Sequence, residues 1–92
     1  MPKKKVNYKQ KYYDHFGLIH DDFVYDEHEW IVNHKAVMAN KVHHVLFGAN
    51  KTDEIENLMA LTTENHDRCH NEELDRYDMK EIHLQFLQNN PY

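Results

Sequence analysis

The sequence predicts a small α+β domain, a β-hairpin packed on one helix with further helices flanking it, and three observations predict it. The segment Val37–Leu46 and the apolar run Leu58-Met59-Ala60-Leu61 bracket a polar stretch of turn formers, Gly48-Ala49-Asn50-Lys51-Thr52-Asp53. Directly after the second run, Thr62 and Thr63 offer a helix N-cap, with Glu64 and Asn65 in the first turn. A chain of 92 residues has room for one core and no more.

Taken in order, Lys3, Lys4, Lys5, Lys9 and Lys11 make residues 1–11 a basic, flexible arm, and residues 12–92 form a single domain. The arm is either a contact to a phosphate backbone or a solvated terminus. Tyr8–Phe16 reads as a short helix with Gly17 as its stop, and Tyr12, Tyr13 and Phe16 fall near helical spacing. Between Asp21 and His34 the residues Phe23, Tyr25, Trp30, Ile31 and Val32 favour extended structure. Val37–Leu46 reads as a strand ending in Val45-Leu46-Phe47, and Leu58–Leu61 as its partner, although so short a run does not by itself separate strand from helix. The helix capped by Thr62 or Thr63 runs to about Glu73. Asp75–Asp78 reads as a break, and Lys80–Leu87 as a last amphipathic helix with Met79, Ile82 and Phe86 on one face.

Composition narrows the function classes. Cys69 is the single cysteine, so an internal disulfide and a CxxC zinc site are both excluded. No apolar run is long enough to cross a bilayer, and the charged start has no apolar stretch behind it, so no secretory signal and a cytoplasmic protein are expected. The formal net charge of −5 argues against a protein held on nucleic acid by bulk charge alone. It leaves a nuclease open, because a bound divalent cation supplies positive charge where a phosphate sits.

Nine histidines are many for this length, and their distribution matters more than their number. His43 and His44 adjoin on the first strand, where neighbouring side chains point to opposite faces. At the strand's end, where the chain bends, one can reach a metal while the other faces substrate. His66 and His70 lie four apart and share one helix face, within reach of a single ion. Asn57 opens the second apolar run. An HxxxH pair alone is more often a solvated pair than a metal site; the upstream His-His pair shifts that balance. The remaining histidines, His15, His20, His28, His34 and His83, lack ligand spacing and read as surface or packing residues. Asp14, Asp21, Asp22 and Asp26 read as a solvated acidic face, and Cys69 as a helix residue packing under the site.

The stretches Val42-His43-His44-Val45, Ile55-Glu56-Asn57-Leu58-Met59-Ala60-Leu61 and His66-Asp67-Arg68-Cys69-His70 resemble the motif of the HNH (His-Me finger) endonucleases, in the form carried by the colicin DNases. The resemblance covers Lys41 to Asn71; outside it, Lys11–Phe23 and Lys80–Leu87 are similar to the flanking helices of small phage and bacterial members. It implies a ββα-metal core in which His43, His66 and His70 hold one divalent cation, Mg²⁺, Mn²⁺, Ni²⁺ or Zn²⁺. It further implies that His44 is the general base that activates water, and that Asn57 holds His44 or the loop in place. Arg68, Lys41 and Lys51 are the candidate substrate contacts, though Arg68 reads equally as a solvent-facing helix residue. The implied substrate is DNA ahead of RNA. A second copy or a phage protein is the candidate protein partner, and the host cytoplasm the location of a phage-encoded chain.

One departure from the family matters. Many relatives bind a structural zinc through two CxxC pairs, whose positions here fall near Asp26 and Glu29, then Thr62 and Asn65. None is cysteine, so no structural zinc is expected, and apolar packing around Trp30 is the expected replacement. The alternative to an active nuclease is a catalytically silent module on the same core, binding nucleic acid or protein. A third reading, a helical protein with incidental histidines, predicts no metal effect at all.

Overall fold

The computed structural model describes residues 7–46 and 52–92. Helix α1 spans Tyr8–Phe16; the side chain of Asn7 accepts from the Gln10 amide at its start. Gly17 ends it at φ 67°, returning its own and the next amide to the last carbonyls, which is the left-handed stop a glycine makes cheaply. Tyr8 to Lys11, counted above in both arm and helix, are helical.

Helix α2, Glu27–Asn33, corrects the extended reading of this region. Asp26 caps it through the Glu29 amide, and Glu27 and Glu29 sit in its first turn, where the helix dipole favours acids. That cap outweighs the β-propensity of Trp30, Ile31 and Val32. Tyr25 bridges Met38, flanked by Asp26 N–H to Val37 O and Ala39 N–H to Val24 O, both 2.7 Å. The expected long strand is therefore divided: Met38 serves that bridge, and β1 proper is Lys41–His44.

β1 pairs antiparallel with β2, Leu58–Leu61, in the register Lys41–Leu61, Val42–Ala60, His43–Met59, His44–Leu58. A single 3₁₀ turn, Ile55–Asn57, leads into β2. All four β2 side chains are buried, because both faces of the strand are covered. Leu58 and Ala60 face a core of Tyr12, Phe16, Val24, Ala39 and Phe86. Met59 and Leu61 face a second cluster with Val45, Cys69 and Met79.

Helix α3, Thr63–His70, is capped by Thr62 on the Asn65 amide. It ends three residues short of the expected Glu73, where Glu72 takes φ 61°. Helix α4, Arg76–Gln88, is longer than expected: Asp75 is its cap rather than part of a break. It buries Met79, His83 and Phe86 and packs along α2. No helix among the described residues is long and apolar enough to cross a membrane.

Candidate functional site

Cross-strand partners share a sheet face, so the register sorts the site. His43 points with Met59 toward α3, and His44 points with Leu58 toward α1. The Thr62 cap fixes the phase of α3, placing His66 and His70 one turn apart on the side nearest β1. The His43 and His66 rings lie 5.0 Å apart between centroids, edge to face, and the His66 and His70 rings 4.5 Å apart. The structure thus gathers the three histidines into one cluster.

Two of these rings, His43 and His66, are held toward the neutral form. Burial pushes His43 down to about 3, with the neighbouring His66 and His70 adding to it. Burial likewise lowers His66, helped by His70 and Lys41; the Asp67 carboxylate, 3.7 Å from Nδ1 and beyond hydrogen-bond reach, opposes it. Among the described residues, both ring nitrogens of His43 and the Nδ1 of His66 are buried with no hydrogen-bond partner. An unpartnered buried polar atom is costly, and a lone pair on His43, left so, could be offered to a metal ion.

Among the described residues no three such side chains already surround one point as a bound cation requires. The donor chemistry nevertheless fits. The Nε2 atoms of His66 and His70 are 3.2 Å apart, close to the edge of about 3.3 Å that a tetrahedron of nitrogens 2.0–2.1 Å from a metal would have. His66 and His70 could be two such donors, and His43 could add a third by turning within its unpartnered pocket.

Across the strand, His44 is the last residue of β1 and is 8% exposed. Its Nε2 meets Asp53 Oδ1 at 2.7 Å, and the Tyr8 ring lies 4.7 Å from its own. Asn57 does not touch this ring among the contacts described; it holds the loop. Its Oδ1 accepts from Leu46 N–H at 2.8 Å, and its Nδ2 donates to Leu46 O and Thr52 O at 3.2 and 3.0 Å. Leu46 and Thr52 are thus fastened to one side-chain amide. Lys51 lies outside the described residues. Lys41 is close enough for its charge to be felt at His66. Arg68 donates to Asn65 Oδ1 at 3.1 Å and pairs with Glu73 at 3.4 Å, so its guanidinium is engaged by its own helix and the turn that follows it.

The four positions that the family resemblance assigns to zinc cysteines also meet, and they correct the expectation of apolar packing. Asp26, fully buried, accepts from Thr62 N–H at 2.7 Å, from Asn65 Nδ2 at 3.0 Å and from Glu29 N–H at 2.8 Å. Asn65 Nδ2 also reaches Glu29 Oε1 at 3.2 Å, and this bond with that from Asn33 holds the Glu29 carboxyl below its usual range. The junction of α2, β2 and α3 is closed by a hydrogen-bonded clasp. Trp30 lies elsewhere, against Tyr25 at 4.7 Å. A carboxylate satisfies three fixed N–H donors better than an indole fills the gap beside them.

Sequence reasoning missed two further features. Asp53 was read only as a turn residue, and nothing in its spacing from His44 signals a contact. His83 is a packing residue, one of the two readings its sequence allows; its bond to the buried Glu27 is what the sequence does not signal. Cys69 is packed in the cluster beneath the histidines as expected, and burial pushes its thiol up to about 11. Comparison with known proteins gives no match: no family model fits the chain, and no curated protein and no solved structure is similar at a significant level.

Proposed function

We propose that the chain is a metal-dependent endonuclease of the HNH type, hydrolysing phosphodiester bonds in DNA. The observation that carries the reading is the strand end at which His43 joins His66 and His70 while His44, its neighbour, faces the other way onto a carboxylate. The convergence of Asp26, Glu29, Thr62 and Asn65 supports it, since these are the zinc positions of the family layout.

His43, His66 and His70 would hold the cation, whose charge would favour the scissile phosphate and the departing 3′ oxygen. His44 takes a proton from water on its unprotonated ring nitrogen. The water oxygen bonds to phosphorus, the bond from phosphorus to the 3′ oxygen breaks, and that oxygen leaves to become a hydroxyl with a proton from solvent. Asn57 keeps Leu46 and Thr52 together, so the strand end bearing His44 keeps its geometry. Lys41 stands near the cluster as the remaining candidate phosphate contact.

The test is supercoiled plasmid incubated with Mg²⁺, Mn²⁺, Ni²⁺ or Zn²⁺, beside a His44→Ala variant. Metal-dependent nicking is expected, with a loss on the order of a hundredfold or more in the variant. The net charge of −5 and the engaged Arg68 favour a second reading, a silent binding module on the same core. Metal binding by calorimetry without cleavage by any of the four ions is the outcome that selects it.

A further inference from the structure

We propose that Asp53 is the positioning residue of the base: its carboxylate takes the Nε2 proton of His44 as a hydrogen bond and so leaves Nδ1 as the nitrogen that receives a proton from water. The inference rests on the nuclease reading for its reaction, but its geometry stands alone. Asp53 Oδ1 lies 2.7 Å from His44 Nε2, within ordinary hydrogen-bond range. An ionised carboxylate can only accept, so whenever the ring carries a single proton that proton is on Nε2 and the lone pair on Nδ1.

The backbone that carries the carboxylate is itself held. Asn57 donates to the carbonyl of Thr52, the residue before Asp53, and Lys11 of α1 donates to the Asp53 carbonyl at 2.9 Å. The Tyr8 ring, also from α1, lies 4.7 Å from the His44 ring. The ring is thereby fixed from two elements, the loop in front of β2 and the first turn of α1. A base whose ring can spin must find its angle anew at each turnover; one fixed by a carboxylate and an aromatic neighbour has that cost removed in advance. Asp53 is 41% exposed on its side chain, so it bears on the fold far less than the buried Asp26 or Glu27 do.

The experiment uses the full chain in three forms: wild type, Asp53→Ala and Asp53→Asn. Nicking of plasmid gives kcat and KM, and ¹⁵N spectra of the histidine rings of metal-free protein report which nitrogen of His44 carries the proton. Expected are an Nε2-protonated ring in wild type, its loss in Asp53→Ala, and a fall in kcat of roughly 10- to 100-fold at unchanged KM, the usual cost of removing a partner that orients an imidazole. Asp53→Asn, whose amide can donate to Nε2, should move the proton to Nδ1 and lower kcat at least as far. Wild-type nicking with kcat of Asp53→Ala within about twofold overturns the proposal, as does an Nδ1-protonated ring in wild type. If wild type cleaves nothing, the nuclease reading fails, while the spectra still decide the contact: a ring proton on Nε2 that leaves on Asp53→Ala upholds it, and an unchanged ring refutes it.

Discussion

Glu27 and His83, 56 positions apart in the chain, meet at 2.5 Å in a place that solvent does not reach. The other ring nitrogen of His83 faces the Ile55 carbonyl at 2.6 Å, so both nitrogens confront acceptors, and both are satisfied only when the ring carries two protons. Glu27 also accepts from the Tyr12 hydroxyl at 2.5 Å and the Ala60 amide at 3.0 Å. One carboxylate thus ties α1, α2, α4 and β2 together. Burial and that carboxylate together push the Tyr12 hydroxyl well above the usual phenol range.

Breaking this junction on one side should be severe. Glu27→Leu leaves the His83 ring, a phenol and an amide without their acceptor, and removal of one partner of a buried pair costs about 3–5 kcal/mol. For a domain whose whole stability is about 5–15 kcal/mol, that is a large share. Urea unfolding followed by circular dichroism reads it; a loss under about 1 kcal/mol would show the pair to be dispensable.

Acid should destabilise the metal-free protein through His43. Its folded value, about 3, lies below the ordinary 6.5, so the unfolded chain binds a proton that the folded chain refuses. Stability is therefore complete above the ordinary value and falls as pH drops from 6.5 toward about 3. The slope is at most about 1.4 kcal/mol per pH unit for one group, and His66, also lowered, acts in the same direction. Urea midpoints of wild type and His43→Leu between about pH 5 and 6.5, above most carboxylates, should diverge, with the variant flatter. Parallel curves would refute the assignment.

The clasp at Asp26 should replace a metal in function as well as in place. Chelator is expected to leave the secondary structure intact, because the junction is held by N–H groups on a carboxylate. Asp26→Ala, by contrast, removes a helix cap and two further hydrogen bonds to a charged group, a loss of roughly 2–4 kcal/mol. Circular dichroism with and without chelator, on both proteins, checks the pair of expectations; unfolding of wild type by chelator alone would contradict them.

Gly17 offers a backbone test. A Cβ added there meets nothing within 4 Å, so only its φ of 67° opposes a side chain. Gly17→Ala should cost about 1–2 kcal/mol, the price of the left-handed conformation. The shift in urea midpoint measures it, and no shift would mean that the helix end rearranges.

Much of the hairpin and α3 was legible because local signals agreed there: the apolar run Leu58–Leu61, the threonine cap and the four-residue histidine spacing each point the same way. Gly17 was equally plain, as glycine is the residue that a left-handed stop requires. Helix α2 was not, because the β-branched and aromatic residues Trp30, Ile31 and Val32 mask the local cap of Asp26 on the Glu29 amide, and the other partners of that carboxylate, Thr62 and Asn65, lie 36 and 39 residues away. The same holds for Asp53 behind His44 and Glu27 against His83. Pairings between distant polar residues leave no periodicity in the chain, and only folding reveals them.

β2 has one more consequence. With its neighbours on both sides buried, it works as a party wall: Leu58 and Ala60 serve one room, Met59 and Leu61 the other. The room behind Met59 is the one on which His43 and α3 stand. Change of sequence on the Leu58 side is thus felt where His44 meets α1, and change on the Met59 side where His43 meets the histidines of α3, so one short strand stands behind both halves of the histidine arrangement.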